Sequence, residues 1–148
     1  MGYNIGELRE IRAQSIGAET MLEASEVLLV KPLINQFGLK PALSAHDYAV
    51  LARYVKDIGL ALAEVSRVLR QGGRAVYVVG DCFNRGTFIP NSKIITAVAL
   101  QHGLSLKSRQ SRTLPANRRY LPPPQRGITT GTMDVRLRRE VVLVFNKS

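Results

Sequence analysis

The sequence predicts an α/β fold that closes with a terminal antiparallel strand pair. Three features carry that expectation: a long amphipathic stripe from Ser44 to Leu69, a short apolar run from Arg74 to Gly80 behind a Gly-Gly break, and a strong strand signal from Glu140 to Phe145. With 148 residues, 45% of them hydrophobic, the chain can supply the core of one ordinary domain.

In chain order, Leu8, Ile11, Arg12 and Ser15 fall along one side of a first helix. A second segment rich in helix formers spans about Ala18 to Leu29, with Gly17 between the two. Beyond Pro32, Phe37-Gly38-Leu39-Lys40-Pro41 reads as a connector, because glycine opens unusual backbone angles and proline restricts them. Ser44 followed by Asp47 is a capping-box pattern. Behind it Tyr48, Leu51, Ala52, Val55, Ile58, Leu62, Val65 and Leu69 recur every three or four residues, one apolar stripe along about seven helical turns. Asp57 meets Ala61 rather than a cation four residues on, so packing, not an ion pair, is expected to define this helix. Gly72-Gly73 ends it.

The run Arg74-Ala75-Val76-Tyr77-Val78-Val79-Gly80 is continuously apolar, as suits an interior strand of a parallel sheet covered on both faces. A loop with Asp81, Cys82, Asn84, Arg85 and Gly86 follows. Pro90 opens a helix bearing Ile94, Ile95, Val98 and Leu100, and Gly103 is placed to end it; a parallel strand after it requires a right-handed crossover. Leu104 to Thr113 alternates in part, as a strand. Residues 114 to 135 exceed common loop lengths, which points to a functional surface or local disorder, and Leu121-Pro122-Pro123-Pro124 within them is extended or irregular. The chain thus divides into an N-terminal helical segment and connector, 1–43, and an α/β domain, 44–148, with a basic loop at 114–135.

The net charge of +10 is unevenly spread. Residues 1 to 70 hold eight basic and eight acidic residues, whereas the segment from Lys107 to Arg139 holds nine basic residues against Asp134 alone. Such a segment can neutralise phosphates and speed encounter with a polyanion; a solvated basic face or an acidic protein partner explains the same charge. No apolar run approaches the length of a membrane span, and the first residues lack the charged-then-apolar profile of a secretion signal, so a soluble, cytoplasmic protein with no membrane partner is expected. A single cysteine, Cys82, excludes an intramolecular disulfide framework and a cysteine zinc cluster. His46 and His102 read as first-turn and last-turn helix residues, and no metal is expected.

Five segments add a more specific signal: Leu62-Ala63-Glu64-Val65-Ser66-Arg67-Val68-Leu69-Arg70-Gln71-Gly72-Gly73, Val78-Val79-Gly80-Asp81-Cys82, Ile89-Pro90-Asn91-Ser92-Lys93-Ile94-Ile95, Ala116-Asn117-Arg118-Arg119-Tyr120-Leu121-Pro122-Pro123-Pro124 and Arg139-Glu140-Val141-Val142-Leu143-Val144-Phe145. From about Leu62 to Asn146 the chain resembles the C-terminal portion of the S-adenosylmethionine-dependent DNA methyltransferases that modify adenine N6 or cytosine N4. The glycine turn alone is unspecific; the ordered combination is specific. Cys82 stands where the family often has serine, and Leu8 to Glu19 is similar to family sequence just after the catalytic tetrapeptide.

The resemblance implies a partial Rossmann-like methyltransferase fold with a terminal antiparallel strand pair, and DNA methylation of the restriction-modification kind. The family's glycine-rich loop beside the methionine part of the cofactor, and its Pro-Pro-Tyr tetrapeptide at the target amino group, have no counterpart in the sequence. No catalytic or cofactor-binding residue is therefore assigned, and S-adenosylmethionine is expected only if a partner supplies the missing half. Methyl transfer needs sulfonium, methyl and nitrogen held nearly in line with water excluded, a task the family gives largely to that tetrapeptide. The expected function is an incomplete or split DNA amino-methyltransferase component, inactive alone, which contributes DNA-binding and substrate-side elements to a catalytic-half protein that pairs with its exposed sheet edge. The alternatives are an inactive nucleic-acid-binding protein derived from a methyltransferase and a structural fragment that forms a homodimer.

The candidate nucleic-acid contacts are Asp81, Asn84, Arg85, Arg112, Asn117, Arg118, Arg119, Tyr120, Arg126, Arg136 and Arg138. Asp81, at the carboxyl end of a predicted strand, either orients a ligand or arginine or caps a helix or loop. Cys82 either lines a base pocket or is a small core residue. Asn84 and Arg85 either meet a nucleotide edge and a phosphate or form a turn, and Asn91 and Ser92 read as helix caps. Arg118 and Arg119 offer planar, multidentate donors to phosphate or base edges, and Tyr120 a ring to stack, unless the three stabilise the long loop.

Overall fold

The computed structural model describes residues 2, 4–16, 18, 22–84, 87–114 and 139–148. Helix α1 (Ile5–Ala13) starts at Asn4, whose side chain accepts from the Glu7 amide while Glu7 accepts from the Asn4 amide, a reciprocal box. None of its residues is buried, and Ile5, Leu8 and Ile11 are exposed. Helix α2 (Ala24–Asn35) starts later than its composition predicts and continues through Pro32. Proline inside a helix costs about 3 kcal/mol. Burial of Leu33 and Ile34 in the next turn returns about 1.5–3 kcal/mol each, so tertiary packing overrides the local break. Gly38, with φ of 65°, ends the segment, and a 3-10 turn (Lys40–Ala42) follows.

Helix α3 (Ala45–Val68) takes Ser44 as its N-cap, the Ser44 hydroxyl accepting from the Asp47 amide and donating to the Asp47 carboxylate at 2.6 Å. The predicted stripe is the buried face, through Leu51, Ala52, Val55, Ile58 and Leu62. The expectation that no ion pair runs along it is corrected: Asp57 finds its cation one turn earlier, in Arg53 at 2.9 Å. Lys56 also reaches Glu26 on α2, and this hydrogen bond, with the Glu23 amide, holds the Glu26 carboxyl below its ordinary range. Lys147, from the far end of the chain, donates to the carbonyls of Ser66 and Leu69 at 2.6 and 2.9 Å, a cation on the last turn of α3.

The sheet comprises β1 (Arg74–Val79), β4 (Leu104–Thr113) and β5 (Arg139–Lys147) in the order β1-β5-β4. β5 is antiparallel to both neighbours, so β1 and β4 run in the same direction and helix α4 (Asn91–Gln101) crosses between them. The predicted terminal antiparallel pair is therefore present, within a mixed α/β arrangement. β1 departs from expectation in two ways. It is an edge strand among the described residues with an antiparallel neighbour, not an interior parallel one. Only one of its faces is covered: Ala75, Tyr77 and Val79 join Phe145, Leu143 and Val141 toward the helices, while Val76 and Val78 are 61% and 51% exposed beside Val144 and Val142.

One core joins α2, α3, α4 and the covered sheet face, including Ile34, Leu62, Ile94, Ile95, Leu104, Leu143 and Phe145. Gly59 of α3 faces α4, where an added Cβ would make ordinary contact with Val98 Cγ1 at 3.7 Å. The predicted loop after β1 is instead a hairpin, β2 (Cys82–Asn84) with β3 (Thr87–Ile89).

Candidate nucleic-acid interface

The carboxyl ends of β1 and β4 lie at the same end of the sheet, because both oppose β5. Val79 and Ser111 both stand opposite Val141, which aligns Asp81, two residues beyond Val79, with the ends of the long excursion, where Thr113 pairs with Arg139. The strands β4 and β5 therefore end and begin, at Thr113 and Arg139, at the sheet end where Asp81, the hairpin and the start of α4 gather. This convergence was not legible in the sequence, since it depends on which strand pairs with which.

Asp81 is held from two sides. Its Oδ1 accepts from the Ser92 amide at 2.8 Å and its Oδ2 from the Ser92 hydroxyl at 3.1 Å. Helix α4 begins at Pro90, which offers no side-chain cap, so a carboxylate from the end of β1 performs that function across the fold. Arg109 of β4 donates to Ser92 Oγ at 2.7 Å and stands 3.8 Å from Asp81 Oδ2. Asn91, expected as a cap, instead donates to the Gly80 carbonyl at 3.0 Å and lies 3.6 Å from Cys82 Sγ. Asp81 thus caps α4 and also lies beside an arginine, Arg109. On α3, burial first, and then the nearby Cys82 and Asp81, push the Tyr54 hydroxyl up to about 12.

Arg112 also has an internal partner, its Nε and Nη2 donating to Glu140 Oε2 at 2.9 and 2.7 Å, although its side chain stays 58% exposed. Asn84 pairs through its backbone with Thr87 in the hairpin. Arg85, Asn117, Arg118, Arg119, Tyr120, Arg126, Arg136 and Arg138, and with them the proline run, lie outside the described residues.

Phe83 and Phe88 were overlooked in the sequence. They are directly opposed in the hairpin, with ring centroids 5.2 Å apart and planes at 57°, and Phe88 is 46% exposed. The signal was the matched pair Cys-Phe-Asn and Thr-Phe-Ile around Arg85-Gly86, too short for a period-two pattern to register.

Among the described residues no group of three or more His, Cys, Asp or Glu could hold a metal ion, and no helix is long and apolar enough to cross a membrane. No protein-family model and no curated protein matches the chain. Two solved structures do, both of a protein from Thermus thermophilus provisionally designated a DNA modification methylase. The chain is similar to part of that protein. The selenomethionine form is 24% identical, with a TM-score of 0.46 over 64% of this chain and 36% of that one. The complex with S-adenosyl-L-methionine is 22% identical, with a TM-score of 0.47 over 66% and 38%. The chain therefore spans little more than a third of the length of the structures it matches.

Proposed function

We propose that this chain is the DNA-facing, substrate-side part of an amino-methyltransferase acting on adenine N6 or cytosine N4, and that it works only with a complement carrying the glycine-rich cofactor loop and the Pro-Pro-Tyr tetrapeptide. The observation that carries the reading is the convergence at one sheet end of Asp81, the Ile89-Pro90-Asn91-Ser92 turn and both roots of the basic excursion. The carboxyl ends of parallel-running strands are where α/β folds gather their ligands. The basic residues of the segment between Thr113 and Arg139 supply phosphate neutralisation.

The need for a complement rests on β1. Its sequence is apolar on both faces, yet Val76 and Val78 stand in water and its outer edge has no strand partner among the described residues. A complement that adds a strand at that edge and covers the valines satisfies both. The residues here do not by themselves fit S-adenosylmethionine, since the one carboxylate at the end of β1, Asp81, is turned into α4. The cofactor would enter with the complement, which would also align the target nitrogen. In this reading 44–148 is the methylase-like part, braced by the 1–43 segment through Leu33, Ile34 and Leu39.

The test combines the purified chain with a candidate complement, typically one encoded immediately upstream, together with labelled S-adenosylmethionine and DNA of varied sequence. Methyl incorporation is expected from the mixture and from neither component alone. A stable complex that methylates none of the DNA, or methylation by this chain alone, would overturn the proposal.

A further inference from the structure

Helix α3 and strand β1 form the latter part of a strand-helix-strand unit whose first strand is absent from the described residues. α3 begins at the sheet end where Asp81 lies, since the Ala42 carbonyl just before it accepts from the Thr87 hydroxyl of the hairpin at 2.9 Å. It finishes at the opposite end, where Lys147 bonds to its last carbonyls and Gly72-Gly73 turns the chain directly into β1. α3 therefore runs against β1 on the covered face, as does a crossover helix that joins two parallel strands. Among the described residues before α3 there are only α1, α2 and a 3-10 turn.

The side of β1 on which such a strand belongs follows from the second crossover. β1 and β4 run the same way, and α4, which shares a core with α3, connects them. Crossovers of this kind share one hand, so with both helices on one face each step moves in the same sense across the sheet. The step through α4 leads from β1 toward β4, and the step through α3 arrives at β1 from the other side. That side is the edge of β1 with no strand partner among the described residues.

The two sheet edges are also finished differently. β4 carries Lys107, Arg109 and Arg112, with Lys107 exposed at a register shift, features that discourage strand addition. β1 has no charged residue from Ala75 to Val79 and pairs with β5 without a shift. Of the two, only the β1 edge is fit to receive a strand.

We infer that a strand of a second polypeptide adds to the outer edge of β1, parallel to it and alongside Arg74–Val79, so that its carboxyl end arrives beside Asp81. Main-chain hydrogen bonds hold the added strand, and the alternating side chains of β1 set its register. The orientation has a functional consequence. Parallel addition brings the segment that follows the strand to the sheet end where Asp81 and the start of α4 gather, whereas antiparallel addition sends it to the far end beside Gly72. The inference rests on the reading above that the chain works with a complement, and it fixes how that complement enters the sheet.

The test places a photo-cross-linking amino acid at Arg74, at Gly80 or at Lys107 of the full chain, mixes each form with the complement candidate encoded immediately upstream, and maps the adducts by mass spectrometry. Arg74 and Lys107 are exposed and a Cβ at Gly80 meets nothing within 4 Å, so all three positions accept the label. Adducts from positions 74 and 80 are expected in one segment of the complement, the second about six residues after the first, with none from position 107. The reverse order, adducts from position 107, adducts confined to this chain's own residues, or a complex that yields no adduct would overturn the parallel pairing alone. A candidate that forms no complex with the unlabelled chain would overturn the reading on which the inference rests.

Discussion

Asp81 illustrates how one side chain can be read correctly in kind and still be undecided in role. Its place after a strand allowed contact with a ligand or an arginine, or a cap, and the structure gives it both the Ser92 amide and hydroxyl as a cap and Arg109 at 3.8 Å. Asp81→Ala is expected to lower stability by about 1–3 kcal/mol in urea unfolding, because it leaves a buried helix-start donor without its acceptor. Asp81→Asn, which keeps an acceptor oxygen, should retain most of that stability, and an unchanged midpoint for the alanine variant would refute the capping role. Tyr54 gives a pH signature. Its folded-state pKa is raised to about 12 from 10.0. The folded protein therefore binds more protons than the unfolded chain between those values, and the Tyr54 contribution is fully present below pH 10 and is lost as pH rises toward 12. Denaturation measured across that window should show a steep alkaline loss that Tyr54→Phe flattens.

At the scale of elements, the helices α3 and α4 were legible because their apolar spacing and their stops are local signals. The break after α3 is sharper than sequence alone implied. Gly72 has φ of 70°, and a Cβ at Gly73 would meet the Arg70 carbonyl oxygen at 2.7 Å. The backbone of Gly72 and Gly73 then bonds to Lys147, so the turn also anchors the last strand. Gly73→Ala is expected to cost about 2 kcal/mol, read as a lower urea midpoint with the slope unchanged. Elements decided by distant contacts were less legible. The continuation of α2 through Pro32 depends on the burial of Leu33 and Ile34, and the β2–β3 hairpin depends on the anchoring of Ile89 in the core.

For the whole molecule, the two valines on the open face of β1 separate folding from assembly. Substituting Val76→Lys together with Val78→Lys is expected to change the stability of the chain by less than about 1 kcal/mol, since both side chains are already exposed. The same pair should abolish association with a complement in sedimentation and with it any methyl transfer; association that survives would show that the valine face is not the joint. The sequence by itself determined that the chain is α/β, where α3, α4 and its main strands fall, and that most of its excess positive charge lies between Lys107 and Arg139. All of these follow from the near neighbours of each residue. Only the tertiary structure decided that β5 inserts between β1 and β4, that Asp81 faces Ser92, that β1 keeps a valine face in water, and that Phe83 and Phe88 oppose each other in a hairpin. Each of these is set by pairing between segments distant in the chain, where the gain from burial and hydrogen bonding is realised only once the partners have met.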